Sequence, residues 1–390
     1  MSIEGRSDAG AGRRLKLGMV GGGQGAFIGA VHRLAARMDD QYEFVAGALS
    51  STPEKSITSG NELGLAADRS YPDYATMAAA EAKRPDGIDA VAIVTPNHMH
   101  FPVAKAFLNV GINVICDKPL TTTSVEAHEL QQLVQTKGLV FAVTYNYSGY
   151  PMVRQAREMI AKGDLGEIRL VQGEYPQDWL TTPLESTGQK QADWRTDPAR
   201  SGAGGCVGDI GTHTYQLATF VSGLELDQLL AELTSFVPGR KLDDDAHVML
   251  RFKGGAKGSI WASQVAPGNE NGLKLRVYGT KGGLEWTQAD PNYLWFTPYG
   301  EPKRLVTRGG AGAGASAGRV TRVPPGHPEG YLEGFANIYT EAARAIRARR
   351  DGSMVDHEVM FPTVHDGVKG VVFVEACVRS SSAGGIWIKV

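Results

Sequence analysis

The sequence predicts an α/β protein in two parts: an N-terminal doubly wound parallel sheet over residues 14–145, then an α+β domain with a large open, mostly antiparallel sheet over 146–390. Three observations predict it. Residues 15–143 alternate short apolar runs with helix-like stretches, the pattern of parallel strands covered on both faces. After Tyr150, runs such as 246–252 and 258–264 alternate roughly between apolar and polar residues, as in an antiparallel sheet with one wetter face. At 390 residues, the chain is too long for one ordinary core and comfortable as two.

Taken in order, 15–20 reads as the first strand, closed by Gly21, Gly22 and Gly23, with a helix over 27–38. Strands follow at 44–49, at 88–94 (closed by Thr95, Pro96 and Asn97), at 112–116 and at 139–143. Ala104, Ala106, Phe107 and Leu108 mark a helix between the third and fourth. The second part opens with a helix over 152–162 and has strands at 167–174, 229–236, 246–252, 258–264 and 274–278. Lys253-Gly254-Gly255 and Thr280-Lys281-Gly282-Gly283 are its turn signals. Residues 309–319 are almost all Gly, Ala and Ser, which predicts a mobile loop. A helix over 331–349 and a helix-plus-strand segment over 366–390 close the chain, and packing of this C-terminal segment back on the first domain is left open.

Lysines and arginines number 40 against 42 acidic residues, a net charge of -2, which gives no bulk reason to bind nucleic acid or an anionic membrane. Three cysteines, far apart and odd in number, argue against a disulfide scaffold and for a reducing, cytoplasmic compartment. No apolar run approaches the roughly 18 residues that span a bilayer. Ile3-Glu4-Gly5-Arg6 has the form of a protease-recognition tetrapeptide, and residues 1–13 carry no fold expectation.

The turn after the first strand carries the first chemistry. Gly21 and Gly23 suit a tight turn whose backbone approaches a pyrophosphate, with Gln24 beside them and a helix N-terminus supplying oriented N–H donors. This is the dinucleotide-binding pattern of a Rossmann fold, with Ala26 or Gly29 at the third glycine position. The second strand ends in Ser50 and Ser51, with Lys55 nearby and no acid to select a free ribose 2′-hydroxyl. NAD is compatible with that tip, and so is the 2′-phosphate of NADP. Lys118, in Cys116-Asp117-Lys118-Pro119, lies just past the carboxyl end of a parallel strand, the edge at which such sheets bind ligands. A cation there can stabilise a developing alkoxide, although lysines are also common at surface strand ends.

At this point the chain resembles the glucose–fructose oxidoreductase / inositol dehydrogenase (Gfo/Idh/MocA) family and, within it, a rhizobial-type subgroup of dehydrogenases. The resemblance rests on the glycine turn ending in Gly29-Ala30-Val31-His32, on Thr95-Pro96-Asn97-His98-Met99-His100, on Cys116-Asp117-Lys118-Pro119, on residues 204–213 (Gly204 to His213), and on the late turn 278–284. The family usually has Glu-Lys-Pro where this chain has Asp117-Lys118-Pro119. The resemblance implies Lys118, Asp209 and His213 as the catalytic set. It also implies that Thr95, Pro96, Asn97, His100, Asp117, Lys118 and Pro119 line the cofactor groove, and that the chain forms a homo-oligomer, dimer or tetramer. Asp209 and His213 are four residues apart and share one face of a helix. An imidazole is a natural base for a sugar hydroxyl, and a carboxylate can orient it.

Aromatic faces with fixed polar groups suit sugar rings, which singles out Tyr147, Trp194, Arg195 and His327 on the substrate side. His98 and His100 share a face in an extended chain but have no Cys or acidic partner at zinc spacing. Asp243-Asp244-Asp245 with His247 reads as a turn entering a strand rather than a metal cluster. The expected activity is hydride transfer between nicotinamide and a secondary alcohol of a sugar, cyclitol or glycoside, with no metal. Two rivals are a glycoside-cleaving enzyme that oxidises its substrate transiently with tightly held cofactor, and a non-catalytic cofactor-binding sensor.

Overall fold

A computed structural model describes residues 13–390, so the Ile3–Arg6 stretch lies outside the described residues. The chain divides into two units, each compact. The first comprises residues up to Thr121, Val125–Gly149 and Tyr331–Val368; the second comprises Thr122–Ser124, Tyr150–Gly330 and Lys369–Val390. The first unit thus takes in Tyr331–Val368 from near the end of the chain, the kind of return that was left open for the C-terminal segment.

The first unit holds a five-stranded parallel sheet of β1 (Leu15–Gly21), β2 (Tyr42–Ala48), β3 (Ala90–Val94), β4 (Asn113–Cys116) and β5 (Phe141–Val143). Its order is β2-β1-β3-β4-β5, so the winding direction reverses between β1 and β3. A crevice forms at the carboxyl ends of the strands at such a reversal. The strands are apolar through most of their length, and β3 is buried at all five positions, because helices cover both faces of a parallel sheet. The helix Phe27–Met38 follows β1 and buries Gly29, Val31, His32, Ala35 and Ala36. The late helix Tyr331–Arg350 packs into the same core through Phe335, Ile338, Tyr339, Ala342 and Ile346.

This packing strands a histidine. His32 is fully buried between Phe335 and Tyr339, with Nδ1 2.8 Å from the Tyr339 hydroxyl. Burial, only partly opposed by the Asp117 carboxylate, pushes its pKa from 6.5 down to about 4. The folded state thus prefers the neutral ring. The stability this contributes is full above pH 6.5 and is lost as pH falls towards 4, up to about 3 kcal/mol for the whole window. We expect His32→Gln to flatten the pH dependence of urea midpoints between pH 6.5 and 4, whatever its effect at neutral pH. A slope in that window equal to that of the wild type would contradict the assignment.

The second unit holds a nine-stranded sheet of order β13-β12-β11-β10-β6-β9-β8-β7-β14. Its strands are β6 (Ile168–Pro176), β7 (Leu226–Thr234), β8 (Asp245–Phe252), β9 (Lys257–Ser263), β10 (Lys274–Gly279), β11 (Gly282–Thr287), β12 (Tyr293–Pro298), β13 (Arg304–Thr307) and β14 (Ile388–Lys389). All pairings are antiparallel except β6 with β9. Alternate residues Val171, Val248, Leu250, Ile260, Leu275, Val277, Leu284 and Trp286 are buried on one face. On the other face, Leu170 is 46% exposed, Met249 55% and Trp295 38%.

Two expectations are corrected here. Gly282 and Gly283, read as turn residues, begin β11 and pair with Pro298 and Thr297. The 309–319 loop is docked rather than loose. Gln155 accepts from the Gly314 N–H (2.6 Å) and Glu158 from that of Ser316 (2.8 Å), and a helical turn forms over Ala315–Gly318. Among the described residues, no helix is long and apolar enough to cross a membrane.

Candidate active site

The first unit supplies a cradle. Gly21, Gly22 and Gly25 have φ of 80°, 74° and 72°, a region costly for residues with a Cβ. A Cβ on Gly29 would lie 2.4 Å from both the Cα and the carbonyl oxygen of Gly22, so Gly29, not Ala26, is the glycine that lets helix meet strand. A Cβ on Gly23 would lie 2.7 Å from the Leu49 oxygen, whose carbonyl already accepts from the Gly23 N–H. A side chain at Gly21, Gly22 or Gly23 would collide with its neighbours, which leaves the backbone bare at those three positions. Gln24 is exposed, with its side-chain amide on Glu62 and its N–H on the Ser59 hydroxyl. Ser50 is half-buried and accepts from the Thr52 N–H, while Ser51 and Lys55 are exposed on the rim.

Across the β1/β3 reversal, a Cβ on Gly21 would touch the Thr95 methyl at 3.0 Å, which puts Thr95 and half-buried Pro96 at the crevice edge. Asn97 is buried in the single turn that follows. His100, expected to line the groove, is only 1% exposed, and its ring is spent on the protein itself. Nδ1 is 2.7 Å from the Pro119 carbonyl and Nε2 2.9 Å from that of Thr95. It ties the loop after β3 to the loop after β4. Both ring nitrogens face backbone carbonyls of the protein, and the neutral ring donates to one of them.

Lys118 sits at the end of β4, half-buried, before a cis bond to Pro119. Asp117 fixes the turn: one carboxylate oxygen accepts from the Lys118 N–H (2.9 Å) and from the Thr144 hydroxyl (3.1 Å), and its own N–H bonds the Ile93 carbonyl. The shorter acid therefore reaches its own loop. Tyr147 is buried in the short helix Asn146–Gly149 that follows β5.

In the second unit, Asp209 lies in a π-helical segment, Val207–Gly211, that runs on into the α-helix Thr212–Ser222 carrying His213. Such widened turns often mark functional sites. The entry to this helix is capped from β8. Asp243 accepts from the N–H groups of Gly205 and Val207 (2.7 Å each), and burial pushes its carboxyl up to about 6 against those bonds. A Cβ on Gly205 would lie 2.2 Å from the Asp243 carbonyl, which explains the glycine. Asp244 takes the N–H groups of Phe236 and Val237 and the Arg240 guanidinium, and Asp245 takes the Trp261 indole N–H. The three aspartates are caps and braces. Among the described residues, no group of three ligand-type side chains could hold a metal.

Asp209 and His213 meet the C-terminal ends of the two parallel strands. The His213 ring lies edge-on to Tyr175 at the end of β6 (centroids 6.3 Å apart). Asp209 Oδ2 accepts from the side-chain amide of Gln264, just past β9, at 2.9 Å, and pairs with Arg195 Nε at 3.4 Å. Arg195 comes from the short helix Lys190–Arg195, where its guanidinium stacks over Trp194 at 4.2 Å and also bonds Gln191. Trp194, Arg195, Asp209 and His213 thus belong to one neighbourhood of the second unit. His327 is exposed in a turn, its carbonyl taken by the buried Arg308. Sequence reasoning missed Gln264, because only the β6/β9 pairing reveals that it stands at the same sheet edge as Tyr175.

A bare glycine cradle at the reversal of a parallel sheet defines the class: an NAD-binding Rossmann protein. A family model described as an oxidoreductase family with an NAD-binding Rossmann fold matches residues 15–145, and one for the GFO/IDH/MocA C-terminal domain matches 153–285. The chain belongs to the Gfo/Idh/MocA oxidoreductase family. The uncharacterized oxidoreductase YfiI of Bacillus subtilis (strain 168) is 37% identical over 379 residues, 96% of each chain. The crystal structure of an oxidoreductase from Sinorhizobium meliloti is 61% identical, with a TM-score of 0.89, covering 97% of this chain and all of that one. An inositol dehydrogenase homolog from Azotobacter vinelandii, solved with NADH and myo-inositol, is 38% identical, with a TM-score of 0.91 and coverage of 97% and 98%.

Proposed function

We propose that the chain oxidises a secondary alcohol on a cyclitol, sugar or glycoside reversibly, with Lys118, Asp209 and His213 as its catalytic residues. The observation that carries this is the Asp209–His213 helix, which presents a braced carboxylate and an imidazole one turn apart. Nicotinamide, when bound, supplies the hydride acceptor. His213 takes the proton of the substrate hydroxyl, Lys118 stabilises negative charge on that oxygen, and Asp209 holds a neighbouring hydroxyl or the imidazole. Arg195 and Trp194 offer a donor fork and an aromatic face for the ring. Tyr147 and His327 stay proposals for substrate contact on sequence grounds alone, as do Gln24, Ser50, Ser51, Lys55, Thr95, Pro96, Asn97 and Pro119 for cofactor contact. The cofactor is read as NAD first, and the serine-and-lysine rim of β2 also suits NADP.

The test is turnover, followed by NAD(P)H absorbance with each cofactor, on myo-inositol, scyllo-inositol, D-glucose, D-xylose and methyl glucoside. Polyol-dependent reduction of cofactor supports the reading. Tight cofactor binding with no turnover on the panel sinks it in favour of a sensor.

The exposed face of the nine-stranded sheet supports a homo-oligomer, because Leu170, Met249 and Trp295 lie there among acids (Glu174, Glu232, Glu285) and bases (Arg251, Lys274, Arg276) that a second copy can match. Paired substitutions Leu170→Asp and Met249→Asp are expected to halve or quarter the mass seen by light scattering. An unchanged mass contradicts that contact.

A further inference from the structure

We propose that Gln264 is a positioning residue for the reaction, holding the Asp209 carboxylate from the β9 edge while Arg195 holds it from the Lys190–Arg195 helix. The inference rests on the functional reading above and adds a residue that the family motifs in this chain do not contain.

Gln264 is 2% exposed. A buried amide needs hydrogen-bond partners, and its Nε2 donates to Asp209 Oδ2 at 2.9 Å. The backbone of Gln264 already has structural work of its own. Its N–H donates to the Asp244 carbonyl (2.8 Å), and its carbonyl accepts from the Leu180 N–H (3.0 Å). Neither of those bonds involves the side-chain amide, which donates to Asp209. The neighbouring Ser263 carbonyl accepts from the Gln177 N–H at 2.7 Å, which stitches the same strand end to the segment leading to Arg195. Asp244 in turn is fully buried and held by the N–H groups of Phe236 and Val237 and by Arg240. The amide is thus anchored on a rigid frame and aimed at one carboxylate oxygen.

The chemistry of the pair fits the task. A glutamine amide donates at every working pH, whereas an acid or imidazole in its place would gain or lose its proton along with the site. Arg195 adds positive charge on the same oxygen at 3.4 Å. Together they stabilise negative charge on Asp209 and fix its plane, while His213 is left to exchange protons.

The test is the pH profile of kcat/KM, measured on the polyol that the wild type oxidises fastest in the panel above. Gln264→Glu puts a like charge beside Asp209, and the acid limb is expected to move up by about one pH unit. Gln264→Lys puts a cation there, and the limb is expected to move down. Opposite shifts, with NADH affinity by fluorescence left near that of the wild type, are a signature that a merely structural residue does not give. Should either charged variant fail to fold, Gln264→Asn draws the amide back by one methylene and is expected to shift the limb upward, with kcat/KM lowered about tenfold. Limbs that stay in place, or that move the same way for Glu and Lys, overturn the proposal while the enzyme itself remains a dehydrogenase. Turnover that ignores His213→Ala overturns the functional reading, and this inference with it.

Discussion

Lys118→Ala is expected to lower kcat/KM for the alcohol by about 10³-fold, ~4 kcal/mol, the scale for removing one preorganised donor from a developing oxyanion. The lysine is not a loosely tethered surface residue. Its N–H is fixed by Asp117, whose carboxylate also holds Thr144 and whose own N–H is paired to Ile93 in the adjacent strand. Pro119 on its other side is buried, and its carbonyl faces His100. The backbone of the lysine is therefore fixed at the β4 edge. Because Lys118 is also expected to line the cofactor groove, NADH affinity is followed by fluorescence alongside, and its loss should be much smaller than the loss of kcat/KM. Lys118→Arg should rescue only in part, since a planar fork does not reproduce a compact point charge. A Lys118→Ala enzyme with normal kcat and only a higher KM would reduce the lysine to a binding contact.

Gly29→Ala is expected to have an effect of similar size by another route. The new Cβ would lie 2.4 Å from two backbone atoms of Gly22, and backbone cannot swing aside as a side-chain tip does. Gly22 must shift, and with it the neighbours Gly21 and Gly23 that shape the cradle; its own carbonyl also accepts from Arg33 at 2.8 Å. Overpacking on this scale costs about 1–3 kcal/mol, which converts to a loss of NADH affinity on the order of 10²-fold if it falls mainly on the cradle. Titration of the purified variant with NADH checks this, and a thermal melt separates a displaced turn from an unfolded unit. Ala26→Gly, by contrast, should leave affinity near that of the wild type. A Gly29→Ala protein that binds NADH normally would mean that helix and strand separate here without penalty.

The legible part of the molecule is the local part. The apolar runs ending in Gly21, Val94 and Cys116 announced parallel strands because each is a short, nearly continuous stretch of buried side chains. The Phe27–Met38 helix was readable in both bounds from its buried stripe. Asp209 and His213 were visible as a spacing, and the spacing survives in a π-helical turn that no local pattern announces, since its width is set by the Asp243 cap and the packing around Gly205. Gln264 was not visible at all: 55 residues separate it from Asp209, and the contact exists because the Val207–Gly211 turn packs against β9. His100 misled for the opposite reason. It stands in a motif with residues of the crevice edge, yet its ring turns inward to two carbonyls. Composition misled at 309–319, where Gly, Ala and Ser predicted mobility but two side chains of another helix, Gln155 and Glu158, dock the backbone. The return of the C-terminal segment to the first unit was only an option in the sequence, because an amphipathic helix does not specify which sheet it will cover, and its extent, Tyr331–Val368, came from the structure.

The proposed reaction is net transfer of a hydride from an alcohol carbon to nicotinamide, assisted by Lys118 and His213. The most direct measurement uses the preferred polyol, deuterated at the reacting carbon, with excess NAD, and follows the label by mass spectrometry. One deuterium is expected in the reduced nicotinamide per ketone formed, with transfer about 10³-fold slower for Lys118→Ala. Label retained in a cleaved or rearranged product with no net NADH would contradict it and favour transient oxidation in its place.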